Sequence, residues 1–174
     1  MKGPDEEEFR EFVTNARDTL RGIAYLTCGS WAMADDAVGA ALSKLYVRWN
    51  RITSPYAYAR RTVVLAAIDE TRRPWRREQA AGHLLPDRPE PDPFGAVDEA
   101  MRVRAALAQV PPGQRAVLVL RFYEQLSVEE TAEVLGRSQG TVKSQTARGL
   151  AALRAALDVN ETPVTTPQRG ERTP

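Results

Sequence analysis

Arg137, Ser138, Gln139, Thr141, Lys143, Ser144, Gln145 and Arg148 lie within one short stretch that contains no carboxylate. Hydroxyls, side-chain amides and cations at this density can hydrogen-bond base edges and neutralise phosphates. They do not supply the matched acid and base that proton-transfer catalysis needs. A second cationic stretch carries Tyr56, Tyr58, Arg60 and Arg61, then Arg72-Arg73-Pro74-Trp75-Arg76-Arg77. Arginines interleaved with aromatics suit a single nucleic-acid strand, through phosphate charge and base stacking. The chain as a whole has a formal net charge of only +1. The two stretches therefore read as local footprints on a polyanion rather than as a generally basic protein.

Other chemistry has little to work with. Cys28 and His83 are the single cysteine and the single histidine. They can form neither an internal disulfide nor a zinc site, and Cys28 reads as a buried small hydrophobe. No nucleophile elbow, phosphate loop or dinucleotide fingerprint is present. The expectation is a non-enzymatic protein without metal, cofactor or small-molecule substrate. The chain is 43% hydrophobic and 27% charged, ordinary for a globular protein. No apolar run approaches the ~20 residues of a membrane span. The acidic start, Asp5-Glu6-Glu7-Glu8, has no signal-peptide core. A cytoplasmic protein without membrane insertion is expected.

The elements that must position these residues are helical throughout. Phe9, Phe12, Val13, Ala16, Leu20, Ile23 and Ala24 recur at helical spacing. Gly29-Ser30 ends that helix and caps a second, over about 31–49, with Ala34, Ala37, Val38, Ala41, Leu42 and Leu45 on its inner side. Ser54-Pro55 starts a third helix, to about 78. Residues 80–95 hold Pro86, Pro89, Pro91 and Pro93 with Gly82 and Gly95, and read as a linker. A helix over 96–109 follows, and Pro111-Pro112 opens another to about 123. The predicted organisation is all-α: a unit over 1–79, a flexible linker over 80–95, a smaller unit over 96–157 and a disordered tail over 158–174.

Within the smaller unit the spacing predicts a helix-turn-helix. Ser127 with Glu130 fits a capping box, and Gly136 can take the left-handed conformation that ends the short helix 128–135. Ser138 then caps a second helix after a turn of about three residues. Ala132 is small where the two helices cross, and Val142 and Leu150 face inward. The polar face described above becomes the face of this second helix, whose N-terminal end enters the major groove first. The pattern alone fits a repressor, an activator or a sigma factor. Trp31 and Trp49, at helix ends, read as packing residues. Asp35-Asp36 reads either as dipole-favoured surface charge or as a docking patch for a basic partner.

Over about residues 6–157 the sequence resembles the extracytoplasmic-function (ECF) sigma factors of bacterial RNA polymerase. The most specific stretch runs Pro111-Pro112-Gly113-Gln114-Arg115 through Leu126-Ser127, with Gly140-Thr141-Val142-Lys143-Ser144 and Arg148-Gly149-Leu150 beyond it. This is similar to the family's region 4, with Val110 where that pattern opens on Leu. Ala34-Asp35-Asp36-Ala37-Val38, Tyr58, Arg60-Arg61, Ala67-Ile68-Asp69 and Arg72-Arg73 resemble region 2 more loosely.

The resemblance implies that Arg137, Ser138, Gln139, Thr141, Lys143, Ser144, Gln145 and Arg148 face the −35 duplex. It implies that Asn50, Arg51, Ile52, Thr53, Tyr56, Arg60, Arg61, Arg72 and Arg73 handle the −10 strand, with Asn50–Thr53 at a flipped base. Asp35, Asp36, Val38 and Leu42 would dock on core RNA polymerase. Partners implied are promoter DNA, core polymerase and, in many members, an anti-sigma factor. Gly39-Ala40, Leu65 and Gln145 depart from the family's usual Gln-acid pair, Asn and Arg. A stand-alone helix-turn-helix regulator, or a sigma-like protein that binds polymerase without initiating, are the alternatives.

Overall fold

The computed structural model describes residues 5–72 and 97–161. The linker 80–95, Arg73 to Arg77 and the tail from residue 162 lie outside the described residues. Those described form seven α-helices and no strand: α1 (Glu6–Cys28), α2 (Trp31–Arg48), α3 (Pro55–Arg72), α4 (Val97–Gln109), α5 (Pro112–Leu118), α6 (Val128–Leu135) and α7 (Gln139–Glu161). A 3-10 turn, Trp49–Arg51, follows α2, and a π-helical turn, Val119–Tyr123, continues α5.

Local chemistry sets most of the boundaries. The Asp5 carboxylate accepts from the Glu7 and Glu8 amides, which satisfies orphan donors at the start of α1. Gly29, at φ 78°, closes α1, and the Ser30 hydroxyl then accepts from the Met33 amide to open α2. Pro55 stands first in α3, where its missing N–H is not needed. The capping box of α6 is complete, and Gly136 ends it at φ 62°.

Two departures from the sequence expectation stand out. The helix after Pro112 does not continue as α-helix to 123. The Glu124 amide reaches back five residues to the Val119 carbonyl at 3.0 Å, and Gln125 turns to φ 55° so that the Leu126 amide meets the Leu120 carbonyl. This overwide turn swings the chain into α6. At the other end, α7 runs to Glu161, into the 158–174 stretch expected as a disordered tail.

The helices enclose two apolar cores. The first belongs to α1–α3 and joins Leu20, Ala24, Val38, Leu45, Trp49 and Val63. Trp49 is held edge-on by Phe9, at 5.1 Å between ring centroids, and Trp31 stacks on Tyr25 at 3.9 Å, so both tryptophans pack as expected. Cys28 is buried in this core, and desolvation pushes its thiol up to about 11. The second core gathers Leu107, Val117, Leu120, Leu135 and Val142 of α4–α7, and also Ile23 of α1 with Val64 and Ile68 of α3. The C-terminal helices therefore rest directly on one side of the N-terminal bundle.

Candidate nucleic-acid interface

The helix-turn-helix consists of α6, the turn Gly136–Ser138 and α7. Its interior is closed by buried Thr131, Ala132, Leu135 and Val142. Ser138 caps α7: its hydroxyl accepts from the Thr141 amide at 3.1 Å and pairs with the Thr141 hydroxyl at 2.8 Å. Gln139, Thr141, Lys143, Ser144 and Arg148 are all exposed. Gln145 and Arg137 are half-buried and paired, with Arg137 Nη1 donating to Gln145 Oε1 at 2.6 Å and to the Gly113 carbonyl at 3.4 Å. Arg137 is thereby anchored to the start of α5. Burial chiefly, and the nearby charge of Arg72, make it less basic than an ordinary arginine.

The second group of residues is spread over the 3-10 turn and α3. Asn50, Arg51 and Thr53 are exposed, while Ile52 leans on the first core. Arg72 is exposed at the end of α3. Tyr56, Arg60 and Arg61 are engaged by the C-terminal helices. The Tyr56 hydroxyl donates to Glu124 Oε2 at 3.1 Å, and Arg60 Nη1 meets the same oxygen at 3.4 Å. The ion-paired side chains are only 15% and 10% exposed. Desolvation, reinforced by the Glu124 charge, pushes the Tyr56 phenol up to about 12. Arg61 Nη1 donates to the Glu133 carbonyl and, at 2.9 Å, to the Val134 carbonyl, at the negative end of α6.

On α2, Asp35 is held by Arg21 through contacts of 2.6 and 3.3 Å, and these hold its carboxyl below the usual range. Arg21 also lies over the Trp31 ring at 4.3 Å. Asp36 and Gly39 are exposed. Val38 was expected on the docking surface, but it is 4% exposed and lies in the first core. At helical spacing it falls on the stripe shared with Ala34, Ala41 and Leu45, so it supports the surface from beneath. Leu42 is half-buried at the edge of that core.

Sequence reasoning missed the role of Arg115 and Glu124. Arg115 is 7% exposed, and its guanidinium donates to the carbonyls of Thr27, Ala108 and Val110. It knots the end of α1 to the end of α4. Its presence in the conspicuous Gln114-Arg115 pair was a signal, but partners so distant in sequence have no periodic signature.

Two family models match the chain. Residues 12–77 match Sigma-70 region 2, and residues 100–153 match Sigma-70, region 4. The chain is 35% identical over 172 residues to the RNA polymerase sigma-E factor of Streptomyces coelicolor, covering 95% of this chain and 94% of that protein. It is 30% identical over 158 residues to the ECF RNA polymerase sigma factor SigM of Mycobacterium tuberculosis, covering 88% and 79%. Among solved structures, the fold is similar to that in a crystal structure of the sigma factor RpoE with the anti-sigma factor NepR from Bartonella quintana. The TM-score is 0.70 at 21% identity, over 88% of this chain and 99% of that one.

Proposed function

This chain belongs to the ECF sigma factors, and from that premise we propose that it binds core RNA polymerase and divides promoter reading between its two helical units. It is a sigma factor that directs promoter recognition. Residues 96–157 read the −35 element as duplex, and residues 1–79 capture the −10 strand as it melts. The observation that carries the reading is the α7 surface: Gln139, Thr141, Lys143, Ser144 and Arg148 all face solvent on one capped, acid-free helix start. Side-chain amides and hydroxyls there can read base edges, while Lys143 and Arg148 bind phosphates. Gln145 is half-buried and tied to Arg137, so it contributes less directly.

For the −10 strand, Asn50, Arg51 and Thr53 form the exposed rim of a base-holding turn, with Ile52 as its floor. Arg60, Arg61, Arg72 and Arg73 supply cationic contacts, and Tyr56 supplies a ring for stacking. Asp35, Asp36 and Leu42 border a polymerase-docking face on α2, buttressed by Val38. Gly39 and Ala40 leave that face flatter and less acidic than the family pattern. Among the described residues no helix is long and apolar enough to cross a membrane.

The test is transcription in vitro with core polymerase on fragments of the source genome. Initiation at discrete start sites that depend on the protein is expected. Tight DNA binding by the protein alone, with no initiation from any fragment, would refute the reading in favour of a stand-alone regulator. Polymerase capture without promoter opening would point instead to a non-initiating sigma-like protein.

A further inference from the structure

Arg137 and Gln145 differ from the other residues of the α7 face in being fixed to each other. Thr141, Gln145 and Arg148 fall on one stripe of the helix, at i, i+4 and i+7, and Thr141 and Arg148 are exposed. Gln145 therefore belongs to the face that would meet duplex. Arg137 reaches it from the turn, with Nη1 2.6 Å from Gln145 Oε1 and 3.4 Å from the Gly113 carbonyl. A guanidinium has donors only, so this contact settles the orientation of the amide: Oε1 takes Arg137, and Nε2 is left over. Both groups pack over the bare backbone of Gly113, where an added Cβ would lie 3.6–3.8 Å from Arg137 Nη2 and Nη1 and from Gln145 Nε2. Both side chains stay half-exposed.

We infer that Arg137 and Gln145 form one donor-only reading unit, which selects a G·C over an A·T pair at the base step facing position 145. This rests on the assignment of α7 to the −35 duplex. A free glutamine pairs with adenine through both ends of its amide, giving Nε2–H to N7 and taking N6–H on Oε1. Here Oε1 is already engaged by a cation. Its second lone pair remains, but an adenine N6–H reaching it would stand donor against donor beside the guanidinium. What the pair offers a base is N–H alone: Nε2 of Gln145, with Nη2 and Nε of Arg137. Guanine presents two acceptors on its groove edge, O6 and N7, whereas adenine presents one acceptor and one donor. The nearby charge of Arg72 adds to the positive field on this side. Gln145 thus positions Arg137, and Arg137 decides what Gln145 reads. Taken by itself, a glutamine at position 145 would favour adenine.

The test uses holoenzyme reconstituted from the full chain and core polymerase, selecting from a library of random-sequence duplexes. Sequencing of the bound fraction gives the −35 motif. Gln145→Ala should flatten one position of that motif, and the wild type should hold a G·C pair there. Arg137→Leu releases Oε1 and should turn the same position toward A·T, changing the ratio of the two pairs about tenfold. The rest of the motif should stay, which a misfolded variant would not allow. Arg137→Lys, whose ammonium can still occupy Oε1, should keep G·C. An A·T pair at that position in the wild type overturns the inference. So does a Gln145→Ala variant that flattens no position. Binding that falls in Arg137→Leu with the motif unchanged gives the pair a structural role only, and overturns it as well. In each of these cases a defined wild-type motif leaves the assignment of α7 standing. If wild-type holoenzyme enriches no −35 motif, that assignment fails and the inference with it.

Discussion

Replacing Arg115 should destabilise the fold well beyond the loss of an ordinary surface arginine. Its guanidinium is 7% exposed and donates at 3.0 Å to the Thr27 carbonyl, at 2.8 Å to that of Ala108 and at 2.9 Å to that of Val110. A further bond from Nε reaches the Val110 carbonyl at 3.2 Å. These carbonyls lie at the ends of α1 and α4, where the helix leaves its last acceptors unsatisfied and the dipole favours a cation. Burying the charge is itself costly, and desolvation lowers its basicity.

Which effect wins depends on what is left behind. An apolar replacement recovers the desolvation cost but strands three carbonyls, at ~1–3 kcal/mol for each that water cannot reach. The cleft beside Arg115, lined by Cys28, Glu70 and Pro111, admits some water, so the sum falls toward the lower end. For Arg115→Met, which keeps the volume of the stem, we expect a loss of ~3 kcal/mol. For a chain of this size that is a fall in Tm of roughly 6–12 °C. Arg115→Lys should recover part of it, because one ammonium keeps the charge but cannot span all three carbonyls. Calorimetry and urea titration of the three proteins measure this directly. If Arg115→Met proved as stable as the wild type, the carbonyl knot would be energetically irrelevant and the reasoning refuted.

Lys143→Ala and Arg148→Ala should each weaken duplex binding across sequences and reduce the salt dependence by about one counterion, seen as the slope of log affinity against log salt. Gly39→Ala, where an added Cβ would meet nothing within 4 Å, should stabilise by ~0.5–1 kcal/mol in a melting curve. Gly149→Ala should destabilise despite the same propensity gain, since its Cβ would lie 3.1–3.3 Å from three carbons of buried Leu118. A gain at position 149 would show that Leu118 moves aside. Glu130 has its folded-state pKa lowered, chiefly by the Ser127 amide, so its contribution is present above the unfolded pKa near 4.5 and is lost as pH falls through the lower folded value. The loss of stability on acidification should therefore be shallower in Glu130→Gln than in the wild type, measured by urea midpoints across that window.

What the sequence determined by itself were the features whose causes lie within a few residues. The caps at Ser30, Ser127 and Ser138 were legible because a side-chain oxygen and the amide it serves are three positions apart. The left-handed ends at Gly29 and Gly136 were legible because few other residues accept that conformation. Once those ends were fixed, helical periodicity decided which face of α7 met solvent.

The tertiary structure alone decided the π-helical turn, which no residue between Val119 and Gln125 announces and which packing of Leu120 and Leu126 imposes. It likewise decided the partners of Arg115 and Glu124. Thr27 lies 88 residues from Arg115, and Tyr56 lies 68 from Glu124. A long charged side chain declares its charge in the sequence, but not the direction in which it is aimed. That direction is set by which helix comes to rest beside it. So the sequence could nominate Tyr56, Arg60 and Arg61 as contacts for an anion, while only the fold could show that Tyr56 and Arg60 meet the Glu124 carboxylate of the same chain.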